Sequence, residues 1–387
     1  MRLLYLLFQW AKPSMQGVLK KVEGQSKAFS KLVDEVQTWI IGHHNTNIKK
    51  FPNLKYINIP LPKGPYVYQI FSVRQKSYKV AEEMIREFCP DVIYVRYPLS
   101  DPGFISFLEK IQRMNIKVVT EHQSKEVPEL LSMNKRLIAL SESLFGGKAL
   151  ELVDGLVGVT SEIVQYELNR VSVEKPFIVV PNGVDVATIP LRNPGKFDGR
   201  NAHFLVLVGQ TNAWHGVDRI ISGFASYDGK MQIHIHIAGN LTEDVKKLIE
   251  NLPSKKRFSI HAYGFLDQQK LSFLFSLCHA GFSALALHRE KAVQGASLKV
   301  REYCARGLPF VCAGEDPDFP VDFPYAMRLP LGDEPVDFDK LTEFVRSLYE
   351  HNNPTQIAID MRSYAFEKLD WEVKMGKVVR FIKSIKA

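Results

Sequence analysis

Short apolar runs alternate along the whole chain with longer stretches in which apolar positions recur at helical spacing. An apolar run of four to eight residues bounded by turn signals reads as a strand buried on both faces, and the stretches between such runs read as its covering helices. In the first half the runs predict strands over 3–8, 38–41, 56–59, 92–95, 117–120, 155–159 and 177–180, with helical patterns near 17–35, 74–88, 102–115, 134–151 and 160–169. The second half repeats the alternation, with strands over 204–208, 231–238, 258–263, 280–284 and 309–312 and a closing helix over about 371–385. Between the halves lies a polar segment rich in Pro, Asn and Gly, over 190–201. The pattern is that of two doubly wound parallel sheets, and the division it predicts is 1–190, 202–368 and a closing element over 369–387. No repeat and no low-complexity tract interrupts it.

Open α/β sheets bind ligands beyond the carboxyl ends of their strands, so residues just after strands are the candidates. In the first half these are Gln9, Trp10 and the loop to Gly17, then Arg96-Tyr97-Pro98, then Glu121-His122-Gln123-Ser124. In the second half they are Gly209-Gln210-Thr211, Gly239-Asn240, Gly264-Phe265 and the segment that follows the 280–284 strand. That last segment is the most informative of the chain. Gln294-Gly295-Ala296-Ser297-Leu298-Lys299-Val300-Arg301-Glu302 enters a helix that Gly307 and Pro309 close. Small residues leading into a helix N-terminus present unpaired amides and the positive end of the helix dipole to an anion. A phosphate fits there, and Glu302, just over one turn further on, is placed to accept hydrogen bonds from the hydroxyls of an attached ribose. The plainer alternative is an ordinary strand-loop-helix unit.

On these residues the chain resembles the retaining GT-B glycosyltransferases of the family 4 (group 1) type. Their hallmark is a Glu, seven residues, then a second Glu that holds the donor ribose; Glu302 matches the second and Gln294 stands at the first. Val179-Val180-Pro181-Asn182-Gly183-Val184-Asp185 looks like the segment that ends their first domain. Phe204-Leu205-Val206-Leu207-Val208-Gly209, followed by Trp214-His215-Gly216-Val217-Asp218-Arg219, looks like the first strand and donor loop of their second. The resemblance implies a GT-B fold, two Rossmann-like domains facing a cleft, with the last helix crossing back onto the first domain. It implies donor contacts at Gly209, Gln210, Asn240, Phe265, Gln294, Gly295, Ala296, Ser297, Leu298 and Glu302, and acceptor contacts near Gly17 and Arg96. It makes His122 a contact to the donor sugar near the reacting carbon, with Glu121 an alternative polar contact.

Transfer of a glycosyl group builds negative charge on the leaving diphosphate, and preorganised donors there carry much of the rate. The family uses an Arg and a Lys, and the chain departs at both: Gln210 stands for the Arg and His215 for the Lys. His215 replaces a cation only when protonated, which a diphosphate favours; Lys299 is the other available cation. No Asp-x-Asp follows a donor-domain strand, Asp316-Pro317-Asp318 lying in a Pro-rich loop, so no metal is expected. His234 and His236 face the same way on one strand, and are read as strand residues rather than ligands. No cofactor is expected beyond the nucleotide sugar as substrate.

The 45% hydrophobic and 24% charged composition belongs to a globular protein, and Cys89, Cys278, Cys304 and Cys312 show neither paired nor metal-type spacing. The apolar run at Leu3 to Phe8 is too short for a membrane span and lacks a cleavage pattern, so a cytoplasmic enzyme is expected. Charge is uneven. Residues 1–80 hold thirteen Lys and Arg against three acids, a net +10 where the whole chain carries +8. Lys20, Lys27 and Lys31 fall on one helical stripe beside Lys21, with Lys49, Lys50 and Lys55 after them. Such a face suits an anionic membrane surface, an anionic substrate or plain solvent, and no nucleic-acid motif accompanies it. The expected function is transfer of a hexose-type sugar to a glycan or lipid-linked acceptor. A non-catalytic partner subunit of the same fold, or a non-hydrolysing sugar-nucleotide epimerase, are the alternatives.

Overall fold

The computed structural model describes residues 1–9, 11, 15–44, 50–252 and 258–385; Trp10 and Lys49, named above, lie outside the described residues. The chain divides into two compact units, Met1–Pro181 with Trp371–Ala387, and Asn182–Asp370. The strands of the first are β1 (Arg2–Phe8), β2 (Glu35–Gly42), β3 (Lys55–Asn58), β4 (Val92–Arg96), β5 (Lys117–His122), β6 (Gly155–Gly158) and β7 (Phe177–Val179). All are parallel, in the order β3-β2-β1-β4-β5-β6-β7. Side chains alternate across a strand, and β1 shows why its run is wholly apolar: Leu3, Tyr5 and Leu7 enter one core cluster while Leu4 and Leu6 enter the other.

The closing helix Trp371–Ser384 belongs to this first unit. Its Trp371, Met375, Val378 and Ile382 share a core with Leu19, Val22 and Phe29 of the helix Gln16–Leu32. Gly24 makes that approach possible, since a Cβ there would lie 2.4 Å from the Trp371 ring. The helix Tyr66–Phe88 begins well before the expected residue 74. Its first turns keep Tyr66, Val67, Tyr68 and Phe71 in solvent and so offer no buried face for a periodicity to report.

The second unit holds β8 (Asn201–Gln210), β9 (Gln232–Asn240), β10 (Phe258–Gly264), β11 (Ala280–Phe282), β12 (Phe310–Ala313) and β13 (Ala326–Leu329), parallel in the order β10-β9-β8-β11-β12-β13. The short edge strand β13, whose Arg328 breaks its apolar run, was not foreseen. The division also falls earlier than residue 190. Val184, Val186 and Ile189 are part of the second unit's core. The polar stretch after them is strapped down by buried Arg192, which donates to the carbonyls of Gly307 (2.7 Å) and Cys278 (2.7 Å) and to the Tyr349 hydroxyl (2.8 Å). A segment with linker composition is thus fixed by one guanidinium.

Candidate active site

After β11 the chain reaches the helix Leu298–Arg306, with Ser297 in extended conformation at its N-cap and Gly307 at φ +80° ending it. The Ser297 hydroxyl makes no capping bond. The first helical amides, at Leu298 and Lys299, have no intrahelical carbonyl to bond and are open to an anion. The loop before them is held from both sides: the Gly295 amide donates to the Glu315 carbonyl (2.8 Å), and the Ala296 carbonyl accepts from Asn182 Nδ2 (2.7 Å). The Gly295 amide is therefore committed to Glu315, which narrows the expected phosphate cradle to Ala296, Ser297, Leu298 and Lys299.

Arg301 holds this arrangement from beneath. It is fully buried and donates to the Asn182 carbonyl (2.9 Å), to Asp316 Oδ1 (2.8 Å) and to Asp318 Oδ2 (2.6 Å), with a further ion pair to Asp316 Oδ2. Both acids of the Asp-Pro-Asp loop are consumed by this arginine, a role that sequence spacing did not reveal.

Glu302 lies further along the same helix, with its side chain 18% exposed. Its Oε1 accepts from Arg306 Nε (3.0 Å), with Arg306 Nη2 in an ion pair to the same oxygen at 2.9 Å, and this contact orients the carboxylate. Arg306 is itself anchored over the Phe275 ring at 4.3 Å. Gln294 Nε2 donates to Glu315 Oε2 (3.1 Å). An acid at position 294 would repel Glu315; the amide holds it instead.

At the carboxyl end of β8, Gly209 and Gln210 are exposed, Gln210 pairs with Asn240, and the Thr211 amide donates to the Asn240 carbonyl (3.0 Å). Phe265 stands exposed just after β10, at the same edge of the sheet. His215 stacks on Trp214 at 3.7 Å between ring centroids, and the Lys299 ammonium lies 5.4 Å from the Trp214 ring. The structure thus joins His215 and Lys299 through Trp214. It corrects the charge assigned to His215, however. Its Nδ1 accepts from the Asn212 amide (2.9 Å), and burial, then neighbouring Lys299, push the imidazole down to about 2. His215 is neutral in this state, with its proton on Nε2. Lys299 is half-buried, and desolvation brings its ammonium down to about 7.

No family model matches the sequence and no curated protein sequence matches it. Solved structures do. A lipopolysaccharide outer core galactosyltransferase, WaaB, aligns over 99% of both chains at 14% identity with a TM-score of 0.62. Sucrose-phosphate synthase from Thermosynechococcus elongatus aligns over 100% of both at 12% identity and 0.67. HepE from Anabaena, solved with UDP and also with UDP-glucose, aligns over 99% of this chain and 100% of its own at 13% identity and 0.63 in the UDP complex. The chain has the GT-B fold.

In the first unit of this GT-B chain, Gly17 opens the helix Gln16–Leu32 with no atom of a described residue within 4 Å of where a Cβ would stand, and Arg96 ends β4. One Arg96 nitrogen, Nη1, is buried without a hydrogen-bond partner among the described residues, 4.0 Å from Glu121 Oε2. Glu121 is a buried ion-pair partner and offers no open contact: its Oε1 meets Lys21 Nζ at 3.3 Å and accepts from Gln25 (2.7 Å). Lys21 is therefore no part of an exposed basic face; burial pulls its ammonium down to about 7. His122 is likewise corrected as a sugar contact. It is 1% exposed, with Nε2 3.0 Å from Thr120 Oγ1 and Nδ1 3.1 Å from Glu126 Oε1, because the unforeseen helix Glu126–Ser132 carries Glu126 over it.

His234 and His236 do share a face of their strand, and they belong to a larger set. His203, His234, His236 and His261 of β8, β9 and β10, with His279 just before β11, form a ladder of neighbouring rings, His203 and His234 stacked at 4.3 Å. His203 Nδ1 and His236 Nε2 are 3.0 Å apart, and His236 Nδ1 lies 2.8 Å from the Tyr263 hydroxyl. Desolvation first, then neighbouring imidazoles, push His203 down to about 4 and His236 and His279 to about 3. The register His203↔His234 and His236↔His261 is what sequence separation concealed.

Proposed function

We propose that this chain is a retaining glycosyltransferase that moves a hexose-type sugar from a nucleoside-diphosphate sugar to a glycan or lipid-linked acceptor in cell-surface polysaccharide or glycoconjugate synthesis. The observation that carries the reading is Glu302, oriented by Arg306 and partly exposed on the helix whose open N-terminus follows β11. The fold is shared with HepE, whose structures hold UDP and UDP-glucose. In this reading Glu302 takes the ribose hydroxyls, and the amides of Leu298 and Lys299 with the Lys299 ammonium take the diphosphate. His215 contributes a neutral Nε2–H. The negative charge that Gln294 lacks is supplied by Glu315, which Gln294 holds. Attack on the face from which the nucleotide leaves needs no enzymic nucleophile. Gly17 and Arg96 are the acceptor-side residues of the reading, and the phosphates need no metal from Asp316 or Asp318, which Arg301 occupies.

Glu302→Gln is expected to weaken nucleoside-diphosphate binding by about 1–3 kcal/mol, the scale of a lost charge-assisted hydrogen bond. Calorimetric titration with a panel of nucleoside diphosphates measures it, and unchanged affinity removes Glu302 from the site. Labelled donor sugars then separate the alternatives, because binding without turnover reassigns the chain as a non-catalytic partner.

Docking on an anionic membrane surface rests on a revised face. Lys21 is buried, and Lys27 and Lys31 pair with Glu23 and Glu372. The helix Arg136–Leu152 instead exposes Leu137, Leu140 and Leu144 beside Lys135 and Arg136. Flotation with anionic vesicles should capture the protein less well as salt rises, and less well again for a Leu137/Leu140/Leu144→Ser variant. Equal capture by neutral vesicles would remove the electrostatic part. Among the described residues no helix is long and apolar enough to cross a membrane.

A further inference from the structure

Three carboxylates, Glu126, Glu142 and Glu167, are buried in the first unit around a single guanidinium, that of Arg170. Arg170 donates to Glu142 Oε1 at 2.6 Å and to Glu167 Oε2 at 2.8 Å. Glu142 is further satisfied by the Tyr97 hydroxyl (2.9 Å) and the Ser100 amide (2.5 Å). The other two are not. Among the described residues Glu126 Oε2, 4.0 Å from Arg170 Nη1, and Glu167 Oε1 are buried with no hydrogen-bond partner, in side chains that are 7% and 1% exposed. His122, Glu126 and Glu167 thus meet in a region closed to water, with one arginine beside them. Buried carboxylates are costly unless they are protonated, paired or metal-bound, so such a set holds either shared protons or a cation.

The geometry supplies its ligands. His122 Nδ1 lies 3.1 Å from Glu126 Oε1 and 3.7 Å from Glu167 Oε1, and one ligating atom from each of the three residues falls within 4.8 Å of the others. Thr120 Oγ1, 3.0 Å from Nε2, can take the imidazole proton and leave the Nδ1 lone pair aimed at both carboxylates. An outer partner that fixes the tautomer in this way is the usual support of a metal-bound histidine. The Tyr97 ring, 4.4 Å away, packs beside the imidazole.

We infer that His122, Glu126 and Glu167 form a closed site for one divalent transition-metal ion, of which zinc is the expected occupant. One imidazole nitrogen with two carboxylates suits zinc and its neighbours, whereas calcium would need six or more oxygens. The ion would tie the end of β5 to the helices Glu126–Ser132 and Ser161–Leu168, so its role is to stabilise the first unit. The site lies in the first unit, whereas the proposed donor residues belong to the second.

The full chain, refolded from urea with and without zinc after chelation, tests this. Elemental analysis should find one zinc per chain, the zinc-loaded protein should melt several degrees above the metal-free one, and cobalt in place of zinc should give a visible absorption band. Glu126→Gln and Glu167→Gln should lose the metal and the band. Each should melt no lower than the metal-free wild type, because an amide replaces a buried carboxyl at nearly equal volume. A zinc-free wild type after refolding with zinc, with two carboxyls sharing protons in the ion's place, overturns the site. So does a Glu126→Gln protein that binds cobalt with the wild-type spectrum.

Discussion

Arg301→Met should destabilise the second unit by about 3–5 kcal/mol, the cost of leaving buried carboxylates without their partner. The two stranded acids are Asp316 and Asp318, whose oxygens lie 2.8 and 2.6 Å from the guanidinium, and the Asn182 carbonyl loses its donor as well. Domains are stable by only about 5–15 kcal/mol, so the variant sits near the threshold of folding. Arg301→Lys should recover little, since one ammonium does not reach the partners that a planar fork reaches. The triple variant Arg301→Met, Asp316→Asn, Asp318→Asn removes the charges together and should regain most of the loss. Urea unfolding of the three proteins is the measurement. A single variant as stable as wild type would mean that the ion cluster does not hold the loop. Nucleotide binding should fall with Arg301→Met even where the fold survives, because the loop carrying Ser297 is tied to the Asn182 segment through this residue.

Mild acid should unfold the second unit. His203, His236 and His279 are held neutral well below the ordinary histidine value, chiefly by burial. The sign follows from proton uptake. Between about pH 6.5 and the lowered values of about 3 to 4, the unfolded chain binds protons that the folded unit refuses. The stabilisation is complete above about pH 6.5 and is lost as pH falls, at up to about 1.4 kcal/mol per pH unit for each histidine that stays neutral. Asp198, Arg192 and Lys196 lie near His203 and His279, in a cavity of about 310 Å³ that they line together. Asp198 raises both imidazoles and Arg192 lowers His279, without reversing the shift. Stability measured from pH 7 to 4.5 should drop by several kcal/mol, with hydrogen exchange locating the opening in β8, β9 and β10. A His203→Asn, His236→Gln variant should show a shallower slope. A slope equal to that of wild type would clear the ladder of any part in acid sensitivity.

The strands were legible because each is a local pattern. Leu3 to Leu7 must be apolar throughout, since a parallel sheet covered on both faces leaves no strand position in water. The helix Leu298–Arg306, its closing Gly307 and the place of Glu302 were legible for the same reason: caps, small-residue loops and helical spacing act within one or two turns. The edge strand Ala326–Leu329 and the opening turns of Tyr66–Phe88 were not, because partial burial leaves no clean period.

What the residues do with one another was decided elsewhere. Asp316 and Asp318 read only as part of a Pro-rich loop until Arg301 is seen buried between them, and residues 190–201 read as a linker until Arg192 is seen bonded to Gly307, Cys278 and Tyr349. His122 read as a cleft residue until the helix Glu126–Ser132 covers it, and His215 read as a cation until burial and Lys299 make it neutral. Period and capping are local properties of a chain, so composition and spacing carry them. The charge state of a buried group depends on every neighbour that folding brings within a few ångströms, and those neighbours come from segments far apart in sequence.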